Sequence, residues 1–279
     1  MPPVRDLPIA VFDSGVGGLT VLHECLVSLP HEDFLYLGDT LRFPYGDCSA
    51  EELREYSLEL GAMLVDEGAK LLVVACNSAT SAALPALQEA LRDRVRVIGV
   101  VEPDARLAAA LTPSGRVGLL ATPATVASGA YDRALAEAGP GSSLTSVACR
   151  RLAPLIQAGG EVDEATVTCV DEACTPLKEA DVDTVILGCT HYPLIRHVMR
   201  RALGRGVELV SSGEAIAAEV ERGLVEDGLE ADPGRKGMYH FLSSGDPAEF
   251  RRVGTRFLQL PIARVRQVRV GADAARATA

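Results

Sequence analysis

The sequence is poor in several things on which specialised chemistry depends. It has no tryptophan, and aromatic residues make up only 4% of the chain, which leaves few platforms for stacking bases. Only Lys70, Lys178 and Lys236 supply lysine. Lys70 leads straight into an apolar run, and the other two stand in charged, loop-like contexts. None offers an attractive Schiff base for pyridoxal phosphate, so no cofactor is expected. The cysteines are Cys25, Cys48, Cys76, Cys149, Cys169, Cys174 and Cys189, with no C-x-x-C pair among them. That spacing argues against a zinc ribbon or a dithiol redox centre, and no metal is expected. Positive charge is short too. A formal net charge of -11 argues against nucleic acid as a partner, because phosphate binding needs a dense basic patch. No run approaches the ~20 apolar residues of a membrane span, and Met1–Pro8 does not open a signal peptide. No membrane partner is therefore expected, and a cytoplasmic location is. The first apolar run begins at Ile9, so no additional N-terminal regulatory segment is expected either.

What the chain does have is a large apolar content: 48% of 279 residues, ample for one large core or two smaller ones. Short apolar runs alternate with helical patterns, the signature of an α/β protein with mainly parallel sheets. The expected strands are Ile9–Phe12, Leu71–Ala75, Val95–Val101, Val117–Leu120, Thr184–Leu187, Val207–Val210 and Tyr239–Leu242. Leu19, Leu22, Leu26 and Leu29 recur at helical spacing, as do Leu53, Ser57, Leu60 and Leu64. Ser49 with Glu52 and Asp246 with Glu249 read as capping boxes. Thr122-Pro123 reads as an N-cap followed by a first-turn proline. Pro85 falls inside the helix expected after Cys76, which predicts a kink or a restart there.

The chain also repeats itself. Leu72-Val73-Val74-Ala75-Cys76-Asn77 resembles Val185-Ile186-Leu187-Gly188-Cys189-Thr190. At similar distances upstream, Ala10-Val11-Phe12-Asp13-Ser14 resembles Gly118-Leu119-Leu120-Ala121-Thr122. Two related α/β halves follow, each placing a cysteine at the carboxyl end of a strand, where open α/β sheets bind ligands. The expected limits are residues 1–96 plus 210–279 for the first half and 97–209 for the second, with the active site in the cleft between them. Small polar residues follow each cysteine and suit a helix start, whose free N–H groups favour a thiolate or a carboxylate. Two thiols at equivalent places suit a reaction with two faces. Inverting a stereocentre is one: a base takes a proton from one side and an acid returns one to the other.

The motifs make this specific. Phe12-Asp13-Ser14-Gly15-Val16-Gly17-Gly18-Leu19, Gly38-Asp39-Thr40, Pro44-Tyr45-Gly46 and Val74-Ala75-Cys76-Asn77-Ser78-Ala79 come first. Gly99-Val100-Val101-Glu102-Pro103, Ala121-Thr122-Pro123-Ala124-Thr125-Val126, Leu187-Gly188-Cys189-Thr190-His191-Tyr192-Pro193 and Ser243-Ser244-Gly245-Asp246-Pro247 follow. In this order and over nearly the whole length, they resemble the glutamate racemase family of the aspartate/glutamate racemase superfamily. The resemblance implies cofactor-free interconversion of L- and D-glutamate, with D-glutamate feeding peptidoglycan synthesis. It implies Cys76 and Cys189 as the two bases. It implies substrate contacts from Asp13, Ser14, Tyr45, Gly46, Asn77, Ser78, Thr190 and His191, with Thr122 and Thr125 as weaker candidates. Asp13 and His191 are further candidates for tuning the thiols. The implied fold closes the first domain by a return of the C-terminal segment. Family members often pair, which leaves a homodimer open.

Two departures from the family pattern stand out. Ser78 replaces a frequent Thr and keeps the hydroxyl. Gln157 stands where a glutamate is common, which puts an acidic role at that position in doubt. Other readings of the same residues are plainer. Gly15-Val16-Gly17-Gly18 misses the G-x-G-x-x-G spacing, because Thr20 holds its last place, so a nucleotide loop is not expected. Asp13 could be a simple N-cap, Tyr45 a turn residue, and His191 a buried structural histidine. The alternatives kept open are a racemase of another acidic amino acid such as aspartate, and a non-catalytic module binding small anions on the same fold.

Overall fold

The computed structural model describes residues 3–159 and 162–271. Its strands are β1 (Ile9–Asp13), β2 (Phe34–Gly38), β3 (Leu71–Val74), β4 (Arg96–Gly99), β5 (Arg116–Ala121), β6 (Ser143–Ala148), β7 (Thr184–Gly188), β8 (Glu208–Val210), β9 (Tyr239–Ser243) and β10 (Val265–Gln267). Every strand run expected from the sequence is present. β2, β6 and β10 are additions. The helices are α1 (Leu19–Ser28), α2 (Ala50–Asp66), α3 (Asn77–Leu91), α4 (Val101–Leu111), α5 (Pro123–Ala127), α6 (Ala130–Ala138), α7 (Leu152–Ala158), α8 (Glu164–Glu179), α9 (Arg196–Leu203), α10 (Ser212–Asp227) and α11 (Pro247–Leu258).

The strands form two all-parallel sheets. One has six strands in the order β10-β9-β2-β1-β3-β4, and the other has four in the order β6-β5-β7-β8. The run β2-β1-β3-β4 in the first sheet matches β6-β5-β7-β8 in the second, so the internal repeat is a repeat of topology. β9 and β10 extend the first sheet beyond β2 and bring the C-terminal segment back to it. Val97–Gly99 belong to the first sheet through β4, and Val210 belongs to the second through β8. The strands thus change sheet between 99 and 116, and again between 210 and 239.

Apolar side chains leave both faces of the first sheet, as a parallel sheet covered on two sides requires. Ile9, Val11, Leu71 and Val73 point into one core, and Ala10, Phe12, Leu72 and Val74 into another. The first of these cores continues into the second half through Val185 and Leu187 of β7, and Ile216 and Val220 of α10. α10 packs on α1 of the first half and on α4 of the second.

Helix starts obey local chemistry. Ser49 and Glu52 form the expected reciprocal capping box. Thr122 caps α5 through the Thr125 N–H, with Pro123 in its first turn. The second expected box differs. Asp246 accepts from the Ala248 N–H at 2.7 Å, while Glu249 is drawn forward to Arg252 at 2.6 Å. α3 runs unbroken through Pro85, so the proline neither restarts nor ends it.

One ion pair ties distant segments together. The buried Lys70 ammonium donates to Glu32 Oε2 at 2.5 Å, the Arg5 carbonyl at 2.6 Å and the Leu229 carbonyl at 2.8 Å. Glu32 Oε1 accepts from the Ala231 N–H at 2.8 Å. Truncating Glu32 strands a buried cation. Glu32→Ala is expected to lose about 3 to 5 kcal/mol, read from the urea midpoint; a wild-type midpoint would contradict this account.

Candidate active site

Each half carries its cysteine just past the carboxyl end of a central strand. Cys76 follows β3 and is the N-cap residue of α3, in extended conformation. Its sulfur is met by the Ala79 N–H and by Ser14, which follows β1. Cys189 follows β7 and is met by the His191 N–H. Both line one narrow cavity at the junction of the halves, together with Ser14, Tyr45, Asn77, Ser78, Thr190 and His191. The cavity offers about 30 Å³, room for a water molecule or two.

The halves touch closely around this space, and glycine permits it at two points. A side chain at Gly46 would come within 2.8 Å of Thr122 Cβ. One at Gly17 would meet Thr190 Oγ1 at 2.3 Å and the His191 ring at 2.5 Å. Hydroxyls complete the seam. Ser78 Oγ lies 2.8 Å from Thr122 Oγ1 and 3.2 Å from Thr125 Oγ1. Thr20 Oγ1 donates to the Thr190 carbonyl at 3.0 Å.

Of the residues expected to contact substrate, all but Asp13 and the weaker candidate Thr125 line the cavity. Asp13 is wholly buried behind it. It accepts from the Gly15 N–H at 3.0 Å and from Thr190 Oγ1 at 3.3 Å, so it fixes the turn after β1 to the second half. Tyr45 contributes to the wall, but its hydroxyl donates to Asp39 Oδ2. Asp39 also accepts from Arg42 Nε at 2.5 Å and Ser244 Oγ at 2.6 Å. The Gly38-Asp39-Thr40 and Ser243-Ser244-Gly245 motifs therefore meet each other and brace the Pro44-Tyr45-Gly46 loop. His191 lies between the Phe43 and Phe257 rings, at 5.4 and 5.2 Å between centroids. Its Nε2–H donates to Gln157 Oε1 at 2.9 Å, which leaves Nδ1 facing the Cys189 sulfur at 3.8 Å. Gln157 thus orients the imidazole without adding charge.

The sequence reading missed Phe43, Asp47, Pro123, Arg150, Ala153 and Pro154 in the wall. Arg150 sits at the mouth, 3.3 Å from Asp47 across the cleft. No spacing singles it out from the neighbouring Arg151. Phe43 and Asp47 adjoin the Pro44-Tyr45-Gly46 motif and were within reach of it.

Burial dominates the electrostatics. It pushes the Cys76 thiol up to about 12, with the nearby Asp13 charge adding to the effect and N–H and hydroxyl donors opposing it. Cys189 is pushed up as well, by burial and then by Cys76 and Asp13, against the His191 N–H. His191 falls to about 3 through burial and the Arg256 charge, so it is neutral at pH 7. Burial raises Asp13 to about 6, although its N–H and Thr190 bonds pull the other way.

These groups gather residues that match a known family. A family model described as Asp/Glu/Hydantoin racemase matches residues 28–220, and the chain belongs to that family. Within it the similarity runs to glutamate racemases, as the motifs implied. The chain is 49% identical over 252 residues to glutamate racemase of Parafrankia sp. (strain EAN1pec), covering 90% of each chain. It superposes on the crystal structure of glutamate racemase isoform RacE1 from Bacillus anthracis with a TM-score of 0.89 at 38% identity, covering 96% and 98% of the two chains. Against the Francisella tularensis glutamate racemase in complex with D-glutamate, the TM-score is 0.88 at 30% identity, covering 97% and 99%.

Asp13 gives a pH prediction. Its folded pKa is raised, so its contribution to stability is full below its ordinary 3.8 and is lost as pH rises through about 6. Between about pH 4 and pH 7 the wild type should lose on the order of 3 kcal/mol relative to Asp13→Asn. Urea unfolding at the two pH values measures it; parallel stability curves would contradict the raised pKa.

Proposed function

We propose that the chain is a cofactor-independent glutamate racemase in which Cys76 and Cys189 exchange protons with the two faces of the substrate α-carbon. The observation that carries this reading is the placement of both thiols, at equivalent strand ends of two related halves, on the wall of one narrow cavity. Family membership and a D-glutamate-bound relative of the same fold support the choice of substrate. The supply of D-glutamate to peptidoglycan synthesis in the cytoplasm belongs to the same proposal.

The chemistry follows from the environment. With a thiol near 12, removing its proton at neutral pH costs about 1.4 kcal/mol for each unit between the two. That value already includes the help of the Ala79 N–H and Ser14, as the Cys189 thiol already has that of the His191 N–H. A bound α-ammonium group brings a positive charge beside the sulfurs and favours one thiolate. That thiolate takes the α-proton, and negative charge spreads onto the carboxylate. Asn77, Ser78 and Thr190, preorganised in a dry site, stabilise it. The opposite thiol then returns a proton to the other face. The first sulfur ends as a thiol and the second as a thiolate, ready for the mirror-image substrate. An amino acid is larger than the cavity, so the seam at Gly46 and Thr122 opens to admit it.

Cys76→Ala and Cys189→Ala are each expected to lower kcat/KM for L-glutamate by about 10³-fold, followed by the decay of optical rotation. Near-normal turnover by either would sink the assignment. In deuterated, cofactor-free buffer the wild type should place solvent deuterium on the glutamate α-carbon. L-Aspartate in the same assay separates the substrate choices, since faster turnover of aspartate would overturn the glutamate reading.

A further inference from the structure

Asp104 lies on α4, outside the cavity wall, and is completely buried. Its Oδ2 is 2.7 Å from Ser212 Oγ of α10 and 2.9 Å from the Tyr131 hydroxyl of α6. Its Oδ1 has no partner among the described residues. The Tyr131 hydroxyl also lies 2.6 Å from Asn77 Oδ1 at the start of α3. Asn77 lines the cavity, and its Nδ2 has no partner among the described residues.

Counting protons along this row exposes a shortage. The two contacts of the Tyr131 oxygen need two protons, and the phenol carries one. An amide oxygen carries none. The Ser212 proton is directed at Asp104. The second proton therefore belongs on Asp104. An ionised Asp104 would also leave a charged Oδ1 buried with no donor, which is costly. The arrangement that avoids a second proton turns the Asn77 amide over, so that Nδ2 donates to Tyr131. It aims Oδ1 into a cavity that takes a dicarboxylate, oxygen against oxygen.

We propose that Asp104 is a positioning residue acting as a neutral acid: it donates to Tyr131, Tyr131 donates to Asn77 Oδ1, and Asn77 is held with its N–H groups toward a substrate carboxylate. This rests on the reading of Asn77 as a substrate contact. The surroundings agree. Facing Asp104 are Tyr131 from α6, Ser212 from α10 and Asn77, through Tyr131, from α3. Among the described residues no cation donates to it. On α4 and α10 the ion pairs of Arg106 with Glu102 and Glu219 lie at the solvent edge. Burial raises Asp104 to about 7, against the Ser212 and Tyr131 bonds. Burial and then Asp104 push Tyr131 well above its ordinary range, so it stays a phenol. As pH climbs past the Asp104 ionisation, the row loses one proton and Asn77 loses its fixed orientation.

The test is steady-state racemisation of L-glutamate from about pH 6 to about pH 9 by the wild type, Asp104→Asn and Tyr131→Phe, with folding followed by thermal unfolding. The wild-type KM should rise about tenfold above about pH 7, with a smaller change in kcat. Asp104→Asn, whose Nδ2 takes the place of Oδ2 and donates to Tyr131 and to a turned Ser212 hydroxyl, should retain the low KM and lose that rise. Tyr131→Phe should show a KM about tenfold higher at every pH. A merely structural Asp104 would leave the pH profile of KM unmoved. An Asp104→Asn profile that superimposes on the wild type, or a Tyr131→Phe enzyme with normal KM, would overturn the proposal. So would failure of Asp104→Asn to fold, because the amide is uncharged and keeps the donor to Tyr131. A wild type that does not racemise glutamate would sink the functional reading instead. The proton on Asp104 is then read from unfolding near pH 6: equal melting temperatures for wild type and Asp104→Asn support it, and a clear drop in the variant overturns it.

Discussion

Two ionisable sulfurs line one narrow cavity, and charge on Cys76 makes Cys189 harder to ionise. The rest of the structure is arranged around that constraint. Burial strengthens every dipole aimed at the cavity, and it opposes ionisation of either thiol. The protein answers with fixed donors and not with fixed charge. N–H groups follow each cysteine, a neutral imidazole stands behind Cys189, and an uncharged glutamine orients that imidazole. Even the nearest carboxylate, Asp13, is wholly buried and turned to the Gly15 N–H and Thr190. The charged side chains of the wall, Arg150 and Asp47, pair with each other.

Pseudo-symmetry supplies the geometry cheaply. The same strand order in both sheets places Ser14 and Cys76 in one half where Thr122 and Cys189 stand in the other. The match is not complete. α3 begins directly after Cys76, whereas Cys189 leads into a 3-10 turn at Tyr192–Ile195 before α9. The two sulfurs thus meet different donors while approaching one space.

Much of this was legible in the sequence, and the failures have physical causes. Buried parallel strands announce themselves as apolar runs, and β1, β3, β5 and β7, which carry the site, are of this kind. β2 has the same character and went unread. β6, with no fully buried position, and the three-residue β10, with Arg266 at its centre, lie at sheet edges where little apolar area is at stake. At the site, motif and spacing found the residues that touch the cavity from strand ends. They did not find Arg150, which comes from a loop in the other half, nor the row from Asp104 through Tyr131 to Asn77. That row joins three helices far apart in sequence, and no local pattern records it. Asp13 was found, but its task as a brace behind the wall needed coordinates.

The interrupted order of the first sheet has a consequence for how the chain reaches its fold. Strands β5 to β8 are contiguous in sequence and can pair as soon as residue 210 is available. The larger sheet waits for β9 and β10, which arrive only with residues 239–267 and must dock on β2. Closing so long a loop is slow relative to local pairing. During synthesis the smaller half therefore completes first and offers its face of α4 to α10 as a template. The edge of β2 stays open until the end, and it is the exposed edge most prone to pair with the wrong strand.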